Sequence, residues 1–467
     1  MVFSSIIFLF TFLPITLLIY YISPKKVKNS IILLASLIFY AWGEPIYIFL
    51  MLGTIIFDYF MALKIDKYKE MKKNKALFLF TITVNILILV FFKYIGFIIE
   101  NINSIFQFKI SVEQLPLPIG ISFYTFQILS YIIDVYLDKV QVQKNFINFA
   151  TYVTMFPQLV AGPIVRYESI EEQLNYREES IEKFGQGVQR FIQGLGKKVI
   201  LANNIGMVWA EISTINMGKI SVLTSWIGII AYTFQIYFDF SGYSDMAIGL
   251  GKMLGFDFTE NFNFPYTSKS ITEFWRRWHI SLGSWFREYV YIPIGGNRVS
   301  VLKHIRNIFV VWFLTGIWHG ASWNFIIWGL YYGTILLLEK VVFARVLDKL
   351  PNFIKHSYTM LLVIIGWVFF ASPNLSYALK YIEIMFGMGS NSVIDITGIY
   401  YLKTNLITFA ILTICSTTMV KNWIESIMRK SKLEIMNPVL IAHIAILFLS
   451  TAYLVNETYN PFLYFRF

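Results

Sequence analysis

Charge is scarce in this 467-residue chain. Asp, Glu, Lys and Arg make up 14% of its residues, against about 25% in an average soluble domain. Hydrophobic residues make up 57%, and the mean hydropathy is +0.60. A soluble protein of this length has too small an interior to bury that much apolar surface. The composition therefore excludes a soluble globular protein and predicts one that lies in a lipid bilayer.

Cysteine and the common catalytic motifs are also rare or absent. The single cysteine, Cys415, excludes an internal disulfide and lies in an apolar run, where we expect it to pack. The five histidines are far apart and no HExxH occurs, so we expect no metal site. No GxSxG or Walker sequence occurs, and no nucleic-acid-binding motif accompanies the net charge of +11. We attribute that charge to the cytoplasmic loops of a membrane protein.

Apolar segments divided by short basic loops follow one another along the whole chain. They predict an all-α polytopic membrane protein with about 10–12 spanning or partly spanning helices. The first 22 residues lack a basic start and a cleavage site, and therefore predict a retained helix. Six lysines in residues 64–75 indicate that this loop is cytoplasmic and that the N-terminus lies outside.

Proline and glycine interrupt two apolar segments, residues 115–136 and 146–165. Irregular backbone at membrane depth is tolerated only where protein or water satisfies its hydrogen bonds, so these segments predict broken or re-entrant elements. The acidic stretch that follows, residues 168–182, contains six glutamates and predicts a solvated loop or surface helix.

Two further segments combine charge with apolar residues. Residues 191–210 are amphipathic and contain Lys197 and Lys198, which predicts a helix along the membrane interface. Asp239 and Asp245 lie near an apolar segment that we expect to span the membrane. We favour helix capping or internal hydrogen bonding for these two aspartates over binding of a cation.

Residues 274–288 show an amphipathic pattern if they are placed on one helix. Trp275, Trp278 and neighbouring apolar residues fall within an arc of about 120°, with Arg276 on the opposite side. His279 lies on the aromatic face. The pattern fits an interfacial helix with a packed histidine. It also fits the wall of a cavity in which His279 contacts a substrate.

His319 lies in a hydrophobic run long enough to enter a bilayer. On a continuous helix its neighbours on the same face are Trp312, Thr315 and Gly316. The small residues leave space for a ligand, or for a hydrogen bond from Thr315. His319 is therefore either a packed histidine or a general base or acid in a buried tunnel, because its ordinary pKa lies near neutral pH. The spacing does not show whether it meets His279.

Several motifs in a fixed order carry a resemblance to a known family. They are YAWGEP, LPIGISFYTFQ, FPQLVAGPIVRY, FDFSGYSDMAIGLGKMLGF, EFWRRWHISLGSWFREYVYIPIGGNR, GIWHGASWNFIIWGLYYG and the final NPFLYFRF. In these motifs the chain resembles the membrane-bound O-acyltransferase superfamily. Within it, the chain resembles the alginate O-acetyltransferase membrane subunit branch of polysaccharide and cell-wall O-acetylation.

The resemblance implies a fold and a set of site residues. It implies a single membrane domain over residues 1–467, built of tilted helices around a central tunnel, with a motif-rich core at about 115–335. It identifies His319 as the catalytic histidine and His279 as a second important polar position. We expect further residues to line the tunnel or contact substrate, namely Trp275, Trp278, Arg276, Thr315, Asn324 and Asp245.

The resemblance also implies the substrates and partners. Acetyl-CoA is the expected cytoplasmic donor, with no bound cofactor, and a basic funnel could attract its phosphates. That funnel would contain Arg276, Arg277, Arg287 and Arg298. The expected acceptor is a polysaccharide or cell-wall polymer outside a bacterial cytoplasmic membrane. An SGNH-hydrolase-like acetyltransferase is the expected extracytoplasmic partner.

Three alternatives remain open at this point. A transporter or flippase would use the buried polar residues as a pathway and consume no acetyl-CoA. A scaffold subunit would only dock the extracytoplasmic enzyme. Within the family, the chain could transfer D-alanine to teichoic acid instead of acetyl groups.

Overall fold

The computed structural model describes residues 1–111, 115–160, 162–430, 438–456, 459–461 and 463. Throughout these ranges the chain forms helices and connecting loops without a β-strand. This confirms the all-α fold class. The residues group into two compact units. One comprises Met1–Phe191 with Tyr243–Thr259, and the other comprises Ile192–Gly242 with Glu260–Phe467. The expectation of one domain over the whole length stays a prediction.

Ten helices begin in the described part of the first unit. They are α1 (Leu13–Ile22), α2 (Lys28–Ala41), α3 (Tyr47–Lys67), α4 (Lys73–Lys93), α5 (Ile95–Phe106), α6 (Ile121–Tyr136), α7 (Phe146–Thr154), α8 (Phe156–Leu159), α9 (Tyr167–Asn175) and α10 (Ile181–Gly196). A π-helical turn at Phe8–Phe12 leads into α1, and a 3₁₀ turn at Lys25–Val27 leads into α2. The last turn of α10 belongs to the second unit.

The second unit carries the remaining helices. They are α11 (Asn204–Ser213), α12 (Val222–Met253), α13 (Ile271–Arg277), α14 (Ile280–Phe286), α15 (Val301–His319), α16 (Trp323–Leu338), α17 (Ala344–Lys349), α18 (Asn352–Ala371), α19 (Leu375–Met385), α20 (Ile396–Cys415), α21 (Met419–Lys430) and α22 (Pro438–Asn456). Shorter turns are π-helical at Lys197–Asn203, Arg287–Tyr291 and Glu339–Phe343, and 3₁₀ at Pro265–Thr267. The last residues of α12 belong to the first unit.

Six helices in the described ranges are long and apolar enough to cross a membrane. They are α3, α4, α16 with its continuation to Lys349, α18, α20 and α22. The chain is therefore a multi-pass membrane protein, while the finer count of 10–12 spans stays a prediction. α15, which carries His319, is not among the six, and a position of His319 within the membrane stays a prediction. This helix begins with Lys303, His304, Arg306 and Asn307, so apolar residues dominate only its second half.

The expected broken elements are present in the first unit. Gly120 precedes α6 with φ of +75°, and a Cβ there would lie 2.7 Å from the carbonyl oxygen of Leu159. Only glycine adopts this conformation without strain at such a close approach. At the break between α7 and α8, the amide of Phe156 donates to Ser36 Oγ at 3.0 Å. The interrupted backbone thus finds hydrogen-bond partners within the protein, as burial requires.

Residues 191–210 are helical throughout, and their position along the membrane interface stays a prediction. The segment runs from the end of α10 through the π-helical turn into α11. Lys198 is buried and its Nζ lies 2.6 Å from Asp239 Oδ1, with both side chains only 2% exposed. A buried lysine is stable when its charge is paired and hydrogen-bonded, so this residue packs inside the protein. Asp239 has the internal hydrogen-bonding role that we expected, since its Oδ2 accepts from the amide of Leu463 at 2.9 Å.

Candidate active site

His279 lies at a break in the helix predicted for residues 274–288. The chain forms two short helices, α13 and α14, and His279 precedes the second with φ of 45° and ψ of 55°. Non-glycine residues seldom adopt this left-handed conformation, and the continuous-helix prediction was wrong for that reason. Asn261 holds the break because its backbone oxygen accepts from the amide of Ile280 at 3.0 Å.

The His279 ring is enclosed by aromatic side chains. Its centroid lies 4.7 Å from that of Phe240 and 6.1 Å from that of Trp318. The residue is 2% exposed. Burial lowers the pKa of His279 to about 3, because a charged imidazolium loses its hydration in such surroundings. The ring is therefore neutral near pH 7.

His319 ends α15 and is also enclosed by aromatic rings. Its centroid lies 5.0 Å from Trp318, 4.9 Å from Trp328 and 5.1 Å from Phe370. The side chain is 3% exposed. Because the Trp318 ring lies near both imidazoles, the structure brings His279 and His319 into the neighbourhood of one indole. The sequence spacing alone did not show this.

The expected space beside His319 is closed by α16. A Cβ at Gly316 would lie 2.4 Å from the carbonyl oxygen of Phe325 and close to Gly329. The small residue therefore serves close packing of α15 against α16, as small residues do between membrane helices. Thr315 Oγ1 donates to the carbonyl of Val311 at 2.8 Å, so its hydroxyl proton is directed into its own helix.

A group of four aromatic side chains, the tryptophan cluster, adjoins His319. Its members are Trp275, Trp312, Trp328 and Tyr332. The centroid of Trp275 lies 4.9 Å from Trp312, 5.5 Å from Trp328 and 4.8 Å from Tyr332. Trp328 in turn contacts His319. The cluster is thus a continuous aromatic wall that ends at the candidate base.

A cavity of about 640 Å³ adjoins the cluster at Trp312. Trp312 is a member of both. The remaining lining residues are Lys269, Ser270, Thr272, Arg276, Tyr291, His304, Ile308, Val311, Leu336, Glu339, Lys340, Ala344, Leu347, Asp348 and Lys355. We call this the basic cavity, because Lys269, Arg276, Lys340 and Lys355 outnumber its two carboxylates.

A funnel for the donor stays a prediction, and one of its four expected arginines lines the basic cavity. Arg276 lines the basic cavity, whereas Arg277, Arg287 and Arg298 do not. Arg277 instead pairs with Glu273 at 2.8 Å, one helical turn away. Burial, with a smaller contribution from the charge of Lys340, lowers the pKa of His304 in the cavity wall.

Glu339 fixes α13 beside the cavity. Its two carboxylate oxygens accept from the amides of Ile271 and Thr272 at 2.7 and 3.0 Å, and Oε2 also accepts from Thr272 Oγ1 at 2.9 Å. These amides open α13, where a carboxylate is favoured by unpaired N–H groups and the helix dipole. Glu339 therefore holds the helix that carries Trp275 and Arg276.

The other predicted site residues have mainly structural contacts. Trp278 is 2% exposed and packs on Trp367, with centroids 4.9 Å apart. Asn324 Nδ2 donates to the carbonyls of Phe369 and Ser372 at 3.1 and 2.9 Å, and so joins α16 to the end of α18. A role for these two residues in lining a tunnel stays a prediction.

Asp245 lies in the first unit. Its Oδ1 lies 2.7 Å from Arg190 Nη2, in an ion pair between α12 and α10. A contact between Asp245 and a substrate stays a prediction. Across the described residues, no group of three or more His, Cys, Asp or Glu side chains is placed to hold a metal ion.

Four residues of this region were missed from the sequence. Glu339 and Asn261 act through contacts with residues 68 and 18 positions away, and no local pattern reveals such pairs. The sequence contains a weak indication of Trp328 and Tyr332, because their spacing of four residues places both aromatic rings on one face of α16. The pair was missed because the neighbouring residues of this helix are also mostly apolar.

Comparisons with known proteins show which family this chain belongs to. The model of the membrane-bound O-acyltransferase family matches residues 136–379. A probable alginate O-acetylase AlgI of Pseudomonas aeruginosa is 43% identical over 395 residues, which cover 84% of this chain and 76% of the relative. The peptidoglycan O-acetyltransferase of Helicobacter pylori is 35% identical over 434 residues, which cover 84% of this chain and 81% of the relative.

A teichoic acid D-alanyltransferase of Bacillus subtilis is similar over a smaller region. It is 30% identical over 231 residues, which cover 47% of this chain and 58% of the relative. The family match includes His279, His319, the tryptophan cluster and every lining residue of the basic cavity. On this match and on the extent of the alignments, the chain belongs to the membrane-bound O-acyltransferase family.

Proposed function

We propose that this O-acyltransferase takes an acetyl group from cytoplasmic acetyl-CoA and delivers it for O-acetylation of an extracytoplasmic polysaccharide or cell-wall polymer. The observation that carries the proposal is the series of aromatic contacts that runs from Trp312 in the wall of the basic cavity, through Trp328, to the buried His319. The names of the relatives support the acetyl group and the class of acceptor. Transfer of D-alanine is supported by a relative that matches less than half of this chain.

The basic cavity suits the nucleotide end of the donor. Lys269, Arg276 and Lys340 are exposed cations on its wall, and such a concentration of positive charge attracts phosphates from solution. The acetyl thioester would then extend along the apolar tryptophan cluster. A basic cavity next to an apolar cluster matches a donor that is anionic at one end and neutral at the reacting end.

His319 would act on the acceptor hydroxyl. As the hydroxyl oxygen forms a bond to the acetyl carbon, the thioester C–S bond breaks and the hydroxyl proton passes to the imidazole. The imidazole then gives this proton to the departing thiolate. A histidine is suited to both steps because the ordinary pKa of an imidazole, about 6.5, lies near neutral pH. Its aromatic surroundings exclude water, which would otherwise hydrolyse the thioester.

The acceptor end of the reaction belongs to the same proposal. We place the protein in a bacterial cytoplasmic membrane, with the acetyl group leaving on the extracytoplasmic side. An SGNH-hydrolase-like acetyltransferase would there complete transfer to the polymer. Deletion of that partner would stop polymer acetylation while the abundance of the membrane protein stays unchanged.

The proposal is tested by His319→Gln in cells that depend on this protein for polymer acetylation. We expect loss of acetyl ester from the polymer at normal membrane abundance of the variant. The matched control is His443→Gln, another buried histidine, whose Nε2 lies 3.0 Å from Gln193 Nε2. Unchanged ester in His319→Gln would contradict the catalytic assignment and favour a scaffold. Substrate movement without release of CoA would favour a transporter.

A further inference from the structure

The side chain of Asn261 makes an unusual set of hydrogen bonds beside His279. Asn261 is fully buried. Its Oδ1 accepts from the amide of Ser281 at 3.2 Å and from Ser281 Oγ at 2.9 Å. A backbone amide can only donate. The Ser281 amide therefore determines which end of the asparagine amide points toward the break between α13 and α14, and that end is the oxygen.

The same oxygen determines the tautomer of His279. His279 Nδ1 lies 3.1 Å from Asn261 Oδ1, and a carbonyl oxygen can only accept a hydrogen bond. Nδ1 must therefore carry a hydrogen. Because the buried ring is neutral, its lone pair is then on Nε2. A ring in this state accepts a proton or a hydrogen bond through Nε2, and it has no hydrogen there to donate to a substrate carbonyl.

The left-handed backbone conformation of His279 explains why several hydrogen bonds are made on both sides of this residue. A left-handed conformation at a non-glycine residue costs roughly 1–3 kcal/mol and persists only when surrounding contacts hold it. The Asn261 carbonyl accepts from the amide of Ile280 at 3.0 Å, and the amide of Asn263 donates to the carbonyl of Arg277 at 2.9 Å. The segment from Asn261 to Asn263 thus holds the chain on both sides of His279.

We propose that Asn261 is a positioning residue of the acyl transfer, which holds His279 as the Nδ1–H tautomer with Nε2 as its basic nitrogen. The inference rests on the proposed function for its chemical meaning. It distinguishes between two roles for His279. With Nε2 as an acceptor, His279 shares the proton that leaves the hydroxyl, and it does not orient the donor carbonyl by donating to it.

The first test is spectroscopic and requires no activity. Nitrogen-15 resonances of labelled histidine in the full-length protein distinguish Nδ1–H from Nε2–H rings, and His279→Gln identifies the signal. We expect the Nδ1–H tautomer in the native protein and loss of that preference in Asn261→Ala. The Nε2–H tautomer in the native protein would overturn the proposal. Because the native protein is measured directly, poor folding of a variant cannot rescue the proposal.

The second test is kinetic. We expect Asn261→Ala to lower kcat about 10²-fold with little change in KM for the donor, because a misoriented base loses most of its contribution. Asn261→Asp keeps the accepting oxygen and adds a negative charge, which raises the pKa of the imidazole. That variant should therefore retain the Nδ1–H tautomer and move the acidic limb of the kcat profile to higher pH. Native kcat in folded Asn261→Ala would overturn the proposal.

A matched control separates positioning from general stability. Asn307 is another fully buried asparagine, and its Nδ2 donates to the carbonyls of Ile294 and Gly296 at 3.2 and 2.9 Å. Asn307→Ala should lower thermal stability without changing the His279 tautomer, and a changed tautomer there would contradict a specific role for Asn261. Absence of acetyl transfer by the native protein would contradict the proposed function while leaving the tautomer result intact.

Discussion

The basic cavity and the two histidines lie in the same compact unit, but they treat charge in opposite ways. Arg276 and Lys340 are exposed on the cavity wall. His279 and His319 are 2% and 3% exposed and are surrounded by aromatic rings. A charge on the cavity wall keeps its hydration, whereas a charge on a buried imidazole loses it. The cavity is therefore suited to attracting a charged donor, and the histidine region to moving a proton without competing water.

The comparison predicts that changes in the buried region reduce kcat most. His279→Gln should lower kcat about 10²-fold with nearly native KM, because general acid–base groups contribute about 10²–10⁴-fold. Steady-state kinetics of purified protein in nanodiscs would measure both constants. His356→Gln is a suitable control, since its Nδ1 contacts only the carbonyl of Ser268 among its described hydrogen bonds. A rise in KM at native kcat would assign His279 to donor binding instead.

Glu339 holds α13 beside the cavity, and its loss should affect both the stability of the protein and the binding of the donor. Glu339→Ala leaves the amides of Ile271 and Thr272 without their acceptor. An unsatisfied buried amide costs about 1–3 kcal/mol of stability. We expect a lower unfolding temperature and a roughly tenfold higher KM for the donor, because α13 carries Arg276 of the cavity wall. Asp348→Ala, a change to the other carboxylate of the cavity, is the control. Equal effects of the two substitutions would show that charge, and not the hold on α13, is responsible.

Changes on the cavity wall should have smaller effects that depend on salt. Arg276→Gln and Lys340→Gln should each raise KM for acetyl-CoA about three- to tenfold at low ionic strength, with native kcat. The difference should shrink as salt is added, because exposed charges are screened over about 8–10 Å near physiological ionic strength. Arg298→Gln, outside the cavity, should leave KM unchanged. An effect of Arg276→Gln on kcat at all salt concentrations would contradict the division of roles.

The smallest expected effect concerns pH and stability. The pKa of His279 is about 3 in the folded protein and about 6.5 in an unfolded chain. Between these values the unfolded state binds a proton that the folded state does not, so stability falls as pH decreases from 6.5 toward 3. Above pH 6.5 this contribution is constant. Thermal unfolding at pH 7.5 and 5 should show a smaller acid destabilisation in His279→Gln than in the native protein.

The sequence was most informative where a periodic or compositional signal is local. It predicted the apolar helices, the interrupted segments before α6 and after α7, and the two histidines as candidates. It failed where a contact from elsewhere in the chain determines conformation. The aromatic period of residues 274–288 gave no sign of the left-handed turn at His279, because the hydrogen bonds that hold it come from Asn261.

Small residues were misread for a related reason. Beside His319, Gly316 was interpreted as space for a ligand, but a small residue equally allows a neighbouring helix to approach, and Phe325 and Gly329 fill the position. Lys198 was assigned to an interface because its partner, Asp239, lies 41 positions later in the sequence. Which of these outcomes occurs depends on tertiary packing, and helical periodicity contains no information about it.

The central claim is that His319 is the base of a transfer from acetyl-CoA. It is tested most directly with purified protein in nanodiscs, supplied with acetyl-CoA labelled in the acetyl group and a soluble oligosaccharide of the native polymer, together with the extracytoplasmic partner where transfer requires it. We predict labelled ester with the native protein and at least a 10³-fold lower rate with His319→Gln, at equal folding and equal donor binding. Transfer by His319→Gln within about threefold of the native rate would contradict the account.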